Sequence, residues 1–391
     1  GTSSSSGGTS SRSRSRSARS GAPPGDGDAA AHFPWSRGAV LGRYEVLEPL
    51  GEGTFGRVLL AQDTQDGRRV AVKVVRDVKR DRQNARVEAD LLTHIRQADP
   101  EGLRGCCILH EAFVHEGRFF CLVCEPLGMS LYAALKQNAY RGFWLQDVQS
   151  FGSQCLGALA FLHRGLRITH ADLKPENVLL QSAEALRPSH FPRQAFWQDL
   201  QGLSSPPASQ YVRPADRRVK LVDFGNAIYE HDYHPATINT RQYRGPEVVL
   251  DCGWDELSDV WSLGCVLMEL YTGDVLFNTH EDIHHLALME RILEQLPASV
   301  LGQAGQAARE SYLLCDGGPD SSALRLRWPE GASSASLERH VHNQRPLPLL
   351  VSRHHRLFAT FALWLLSVDR RDRPSAMEAS KHPFLTASFD D

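Results

Sequence analysis

The sequence has no long hydrophobic run. Its hydrophobic content of 42% is ordinary for a globular protein. The longest nearly unbroken apolar stretch, 357–368, is well short of the roughly 20 residues that a membrane-spanning helix needs. No apolar signal segment opens the chain. We therefore expect an intracellular protein that does not associate with membranes.

Cysteine is present without a disulfide framework. The eight cysteines lack the even spacings of a disulfide-stapled domain, which suits a reducing compartment. Cys121 and Cys124 lie inside an apolar strand run, where residues i and i+3 point to opposite faces, so we expect inert thiols. His284 and His285 have no second ligand pair at the spacing of a structural zinc site. We expect these histidines to be solvated.

Acidic and bulky apolar residues are scarce at the start of the chain. Residues 1–31 contain no bulky apolar side chain, and an alternating Arg-Ser tract runs from Ser11 to Ser17. Such a segment cannot bury enough surface to offset the entropy of ordering it. We expect 1–42 to be a disordered Arg/Ser-rich tail, which could serve as a solvated linker or as a phosphorylation target.

The charge is divided unevenly between this tail and the rest of the chain. Residues 1–42 hold five Arg and two Asp, and the other 38 basic and 44 acidic residues leave 43–391 with a net charge of −6. An acidic body favours basic partners over nucleic acid. We expect no direct sequence-specific nucleic-acid binding.

One polar loop contains an Asp, a Lys and an Asn at a characteristic spacing. In 170–180, Asp172, Lys174 and Asn177 precede an apolar strand run. This is the spacing of a protein-kinase catalytic loop, in which the Asp accepts a proton from the substrate hydroxyl, the Lys meets the phosphoryl group and the Asn holds a magnesium ion. Asp223, which opens an Asp-Phe-Gly sequence after another apolar run, would be the second metal ligand.

A glycine-rich segment and a strand lysine occur earlier in the chain. Gly51, Gly53 and Gly56 lie in a predicted strand-turn-strand, where glycines let the backbone close over phosphates. No helix follows directly, which argues against a dinucleotide site. Lys73 ends the strand run Val-Ala-Val-Lys, and Glu88 in the helical run after it is placed to pair with this lysine.

In this order, the motifs resemble those of eukaryotic protein kinases over about residues 43–385. The resemblance implies an α+β, bilobal protein-kinase fold, with a β-rich N-lobe over 43–126 and a mainly α-helical C-lobe over 127–386. Two inserts, 181–218 and 300–349, would belong to the C-lobe, and 387–391 would be a tail. The first insert is expected to form a short hairpin or helix.

The same resemblance assigns the nucleotide site, with ATP and Mg²⁺ as cofactors. Cys124 would be the gatekeeper, and the Glu125 carbonyl and Leu127 N–H would hold the adenine edge. Thr240 should hydrogen-bond near the catalytic Asp and Lys. The other predicted ATP contacts are Leu50, Gly51, Gly53, Phe55, Gly56, Val58, Ala71, Leu179 and Val222.

The segment 285–293, His-Leu-Ala-Leu-Met-Glu-Arg-Ile-Leu, is similar to the signature of the LAMMER (Clk) group in the CMGC branch. This resemblance implies a monomeric Ser/Thr kinase, with Tyr as an additional acceptor, that acts on Arg/Ser-rich splicing factors. Its expected location is the nucleus, with the cytoplasm as an additional location. A pseudokinase scaffold that binds Arg/Ser partners and a Pro-directed kinase remain as alternatives.

Ala171 departs from the pattern of most protein kinases, which have Arg between the His and Asp of the catalytic loop. Without that guanidinium there is no local counter-charge for a phosphate on the activation segment. We therefore expect activity that does not depend on phosphorylation of the activation segment. Glu247 at the end of this segment is expected to pair with Arg373.

Overall fold

The computed structural model describes residues 32–53, 56–188, 190, 192–193, 211–316 and 323–389. Phe55, most of the predicted tail and the middle of the first insert lie outside the described residues. Among the described helices, none combines the length and the apolar composition that crossing a membrane requires.

The first lobe is built on an antiparallel six-stranded sheet in the order β1-β2-β3-β4-β6-β5. The strands are β1 (Val40–Leu41), β2 (Tyr44–Gly53), β3 (Gly56–Asp63), β4 (Arg69–Val75), β5 (Leu109–His115) and β6 (Phe119–Cys124). One long helix, α1 (Lys79–Ala98), connects β4 to β5. Strand β6 is apolar throughout because both of its faces are covered. Phe119, Cys121 and Val123 pack in one cluster, while Phe120 and Leu122 face the main core.

The second lobe is mainly helical. Its helices are α2 (Leu131–Gln137), α3 (Leu145–Ala160), α4 (Pro246–Val249), α5 (Leu257–Thr272), α6 (Asp282–Ile292), α7 (Ala298–Leu301), α8 (Gln306–Tyr312), α9 (Ala335–His342), α10 (Arg356–Leu365) and α11 (Ala376–Ala379). Helix α5 is the centre of this lobe, since every residue from Ser258 to Tyr271 is buried. A helix that is apolar on nearly all sides can only be stable inside a core.

Short antiparallel strand pairs carry the loops of the second lobe. They are β7 (Ile168–Thr169) with β12 (Ile228–Tyr229), β8 (Val178–Leu180) with β11 (Val219–Leu221), β9 (Ala185–Leu186) with β10 (Arg213–Pro214), and β13 (Leu313–Asp316) with β14 (Ala323–Leu326). The first two pairs flank the catalytic loop and the Asp-Phe-Gly sequence, so they bring these distant segments side by side.

The described ends of the insert 181–218 are docked on the second lobe. They form the β9–β10 pair, and Tyr211 is fully buried with its hydroxyl donating to the Gly142 carbonyl at 2.7 Å. Arg213 makes two 2.8 Å hydrogen bonds to the carboxylate of Asp147. A short strand pair is compatible with the predicted hairpin. Residues 194–210 lie outside the described residues.

The folded part begins earlier than the sequence analysis placed it. Phe33 is only 8% exposed, and β1 already belongs to the sheet. The low-complexity composition ends at residue 31, and Phe33 is the first bulky apolar residue. The boundary of the expected disordered tail at residue 42 is therefore too late.

The prediction that His284 and His285 are solvated is wrong. Their exposures are 2% and 0%, because α6 is covered on more than one side. The ring of Trp328, which belongs to the second insert, stacks on His284 at 6.1 Å, and Phe277 lies 5.3 Å from His285. Local sequence could not show that an insert would cover this helix.

Candidate active site

The catalytic loop places a carboxylate, an ammonium and a hydroxyl in one network. Oδ1 of Asp172 accepts hydrogen bonds from the backbone N–H of Thr240 at 3.0 Å and from its hydroxyl at 2.7 Å. The Nζ of Lys174 lies 2.5 Å from Oδ2 of Asp172 and 3.1 Å from the Thr240 hydroxyl. These contacts orient the carboxylate, so it can receive a proton from a hydroxyl that enters the site.

Asp259, at the start of α5, holds the backbone of the catalytic loop. One of its oxygens accepts from the His170 N–H at 2.7 Å, and the other accepts from the Ala171 N–H at 2.9 Å. Ala171 has a φ of 61°, a left-handed conformation that costs energy for a residue with a Cβ. Burial opposes the charge of Asp259, but the hydrogen bonds and charges of His163 and His170 together outweigh it and lower the pKa of this carboxyl. An ionised, buried acceptor therefore fixes the strained loop.

Two oxygen-bearing side chains lie beside this network. Asn177 donates from its amide nitrogen to the Asp172 carbonyl at 2.9 Å, which leaves its amide oxygen as an acceptor. Asp223 directly follows Val222, whose N–H donates to the Asn177 carbonyl at 3.0 Å. This hydrogen bond places Asp223 next to the catalytic loop. An amide oxygen and a carboxylate suit a hard divalent cation that takes its other ligands from water and phosphates. The chemistry of these donors fits the predicted metal site.

The strand lysine is paired as predicted for an active arrangement. Lys73 Nζ lies 2.8 and 2.9 Å from the two oxygens of Glu88 and 3.1 Å from Oδ1 of Asp223. Burial opposes the charge of Lys73, but the two carboxylates outweigh it and raise the pKa of its ammonium. Burial likewise opposes the ionisation of Asp223, and Lys73 lowers the pKa of that carboxyl. A charged ammonium held between two carboxyl groups is suited to meet phosphate oxygens.

The glycine-rich segment is the hairpin that joins β2 to β3. Gly53 pairs with Gly56 and Gly51 pairs with Val58 in its register, and Leu50 precedes them on β2. A Cβ at Gly56 would lie 2.3 Å from the Val74 carbonyl oxygen, so only glycine fits at this position.

Three more of the predicted nucleotide residues, Ala71, Cys124 and Leu179, lie on strands. Ala71 on β4 pairs with Cys124 on β6, which places both next to residues 125–127, the segment between the two lobes that we call the hinge. Leu179 on β8 pairs with Lys220 on β11. Leu127 lies in the segment that follows β6.

A buried lysine at the hinge was missed by the sequence analysis. Lys220 is 4% exposed, and its Nζ lies 2.5 Å from Oε1 of Glu125, which also accepts the Ile108 N–H at 2.8 Å. The hinge is thereby tied to the strand before Asp223. The signal in the sequence was a lysine inside an otherwise apolar strand run, since buried lysines are nearly always paired.

Apolar packing and one buried ion pair hold the activation segment, 223–247. Ala171, Ile238, Val248 and Trp254 form a buried cluster beside the catalytic loop. Glu247 at the end of this segment pairs with Arg373, as predicted, and its carboxylate lies 2.7 Å from a guanidinium nitrogen of that arginine. Burial opposes the charge of this carboxyl, but the arginine outweighs it and lowers the pKa.

Comparisons with known proteins agree with this geometry. A family model described as the protein kinase domain matches residues 44–385. Serine/threonine-protein kinase AFC1 of Arabidopsis thaliana is 37% identical over 379 residues, which cover 95% of this chain and 77% of that protein. Dual specificity protein kinase CLK1 of Homo sapiens is 36% identical over 367 residues, which cover 91% and 69%. A crystal structure of a kinase domain is 39% identical, with a TM-score of 0.80, and covers 92% of this chain and 100% of that chain.

These matches confirm the predicted bilobal α+β fold and the predicted enzyme class. Protein kinases use ATP with a divalent metal ion and act on protein substrates. The chain belongs to the eukaryotic protein kinases and, within the CMGC branch, to the LAMMER (Clk) group.

Proposed function

We propose that this kinase transfers the γ-phosphate of Mg-ATP to serines and threonines in Arg/Ser-rich proteins such as splicing factors, and thereby regulates pre-mRNA splicing. The complete network around Asp172, with Lys73 already paired to Glu88, carries the catalytic part of the proposal. A pseudokinase scaffold has no packing reason to keep all of these groups in contact.

The roles follow from the contacts. The substrate hydroxyl oxygen attacks the γ-phosphorus, the bond to the ADP oxygen breaks, and the hydroxyl proton passes to the carboxylate of Asp172. Lys174 offsets the charge of the transferred group. Asn177 and Asp223 would hold Mg²⁺, which when bound neutralises charge on the phosphate oxygens. Lys73 would contact the α- and β-phosphates.

Charge supports the Arg/Ser substrate class. The part of the chain after residue 42 carries a net charge of −6, so its field attracts guanidinium-rich peptides and disfavours acidic ones. The tail of this chain contains the same dipeptide from Ser11 to Ser17, which makes the tail a candidate substrate in its own right. A Pro-directed kinase does not need a comparable net negative charge on its folded part.

The experiment compares two peptides as substrates of the full chain. One is an Arg-Ser repeat, and the other is a Ser-Pro peptide without arginine. The rate on the Arg-Ser peptide should be higher and should fall as salt rises, because exposed charges are screened over about 8 Å at physiological ionic strength. A preference for the Ser-Pro peptide, or an Arg-Ser rate that does not change with salt, would reject the assignment.

The cellular part of the proposal is a nuclear, monomeric enzyme. Imaging a fluorescent fusion tests the location, and light scattering on the purified chain tests the oligomeric state. Exclusion from the nucleus, or a stable dimer at micromolar concentration, would contradict this part without affecting the catalytic assignment.

A further inference from the structure

A short segment before the sheet is anchored on the first lobe. We call residues 32–39 the N-terminal strap. The Phe33 ring is buried edge-on against Phe119 at 5.4 Å and against His115 at 5.7 Å. At its other end, the strap enters the sheet beside β2, since the Gly38 N–H donates to the Val46 carbonyl at 2.8 Å. The strap therefore has two fixed ends on the sheet.

At its Phe33 end, the strap contacts the glycine-rich hairpin near its turn. One guanidinium nitrogen of Arg57 donates to the Phe33 carbonyl at 2.8 Å, and another lies 2.9 Å from the carboxylate of Glu52. Arg57 directly follows Gly56, and Glu52 lies between Gly51 and Gly53. A single side chain thus joins the strap to both strands of the hairpin.

The strap also borders the outer surface of this hairpin. Trp35 is partly buried against the cluster that contains Phe119, Cys121 and Val123, which we call the outer cluster of the sheet. It also lines a cavity of about 230 Å³ together with Leu50, Gly51 and Arg57. Leu50, by contrast, is 45% exposed. The strap therefore lies beside the hairpin, where it can restrict the movement of the hairpin.

We propose that the N-terminal strap is a positioning element of the nucleotide site, which acts through Arg57 to hold the glycine-rich hairpin in its nucleotide-binding conformation. The hairpin needs such support because glycines give it a large conformational freedom that nucleotide binding must remove. A hairpin that is already restrained loses less entropy when ATP binds. This inference depends on kinase activity and not on the identity of the protein substrate.

The test uses the full chain and two variants. Arg57→Met keeps much of the side-chain volume but removes both polar contacts, and Phe33→Ala removes the anchor of the strap. We expect the KM for ATP to rise about three- to tenfold in each variant, the range that one or two hydrogen bonds of ordinary strength give, while kcat changes much less. The Kd of a fluorescent ATP analogue, measured without any protein substrate, should rise in parallel.

Two further measurements separate positioning from general stability. Hydrogen exchange over 49–59 should become faster in both variants. In the double variant, which combines Phe33→Ala and Arg57→Met, the effect on this exchange should be smaller than the sum of the two single effects, because both substitutions act on the contact between Arg57 and the strap. Phe113→Ala is the matched control. Phe113 is a partly buried aromatic residue that packs against the same outer cluster and stacks on Tyr44. This control should lower the melting temperature and leave the KM for ATP unchanged.

The proposal is overturned if Arg57→Met leaves both nucleotide affinity and exchange at 49–59 unchanged, or if Phe113→Ala raises the KM for ATP as much as the strap variants do. If Phe33→Ala does not fold, Arg57→Met decides alone, since the Arg57 side chain is 25% exposed and its loss is tolerable. A failure of the Arg/Ser substrate assignment would leave all of these readouts intact.

Discussion

His285 should make the stability of this kinase depend on pH. Its side chain is fully buried, and neither ring nitrogen has a hydrogen-bond partner among the described residues. Burial is the main reason that its pKa falls from 6.5 to about 3, and the positive charges of Arg244 and Arg241 add to the effect. The folded protein therefore holds this imidazole neutral at neutral and mildly acidic pH.

The sign of the effect follows from the two pKa values. Between about pH 6.5 and pH 3 the unfolded chain binds a proton at His285 that the folded protein does not bind, so this contribution to stability is complete above pH 6.5 and decreases as the pH falls. Each pH unit below the unfolded pKa costs about 1.4 kcal/mol. Between pH 7 and pH 5 the expected loss is about 2 kcal/mol. Burial also lowers the pKa of His284, to about 4, which adds a loss of the same sign.

The assay is urea unfolding at pH 7, 6 and 5 for the wild type and for His285→Leu. Leucine has a similar volume and no titratable group. The free energy of unfolding should therefore fall by about 2 kcal/mol less between pH 7 and pH 5 in the variant than in the wild type. His342→Leu is the control, because His342 is exposed. Equal pH dependence in the wild type and His285→Leu would refute the reasoning.

Three further predictions concern buried charges and the activation segment. Lys220→Met should raise the KM for ATP and lower the free energy of unfolding by about 1–3 kcal/mol, since it leaves the partly exposed Glu125 without its cation; unchanged urea midpoints would contradict this. Arg373→Met should lower the free energy of unfolding by about 3–5 kcal/mol, because it leaves the buried carboxylate of Glu247 without its cation. A loss below about 1 kcal/mol in urea unfolding would argue against that burial. Phosphatase treatment should leave the rate of the purified enzyme unchanged, since apolar packing around Ala171 holds the activation segment; a collapse of the rate would show that a phosphate is required.

Local spacing was enough to predict most of the catalytic groups. Asp172, Lys174 and Asn177 lie within one loop, so their relative positions follow from a few backbone angles and from the strand after them. Glu88 was predicted as the partner of Lys73, and it makes the contact. Another acid of the same helix, Asp81, pairs with Arg76. Short-range order of this kind is encoded in a few consecutive residues.

Features that depend on distant partners could not be predicted in the same way. Phe33 is buried by Phe119 and His115, more than 80 residues away in the chain, and the composition before it points to disorder. His284 and His285 look like surface histidines until Trp328 of the second insert covers their helix. Burial of this kind arises from packing between segments, which the local pattern does not contain.

The most direct test of the central claim compares the wild type with Asp172→Asn. Both proteins are assayed for transfer of radiolabelled γ-phosphate to an Arg-Ser peptide, and nucleotide binding is measured in the same preparations. The wild type should phosphorylate the peptide, and the variant should be about a thousandfold slower with unchanged nucleotide binding, since a general base contributes about 10²–10⁴-fold. Equal rates in the two proteins, or a wild type that binds nucleotide and peptide but transfers no phosphate, would contradict the account.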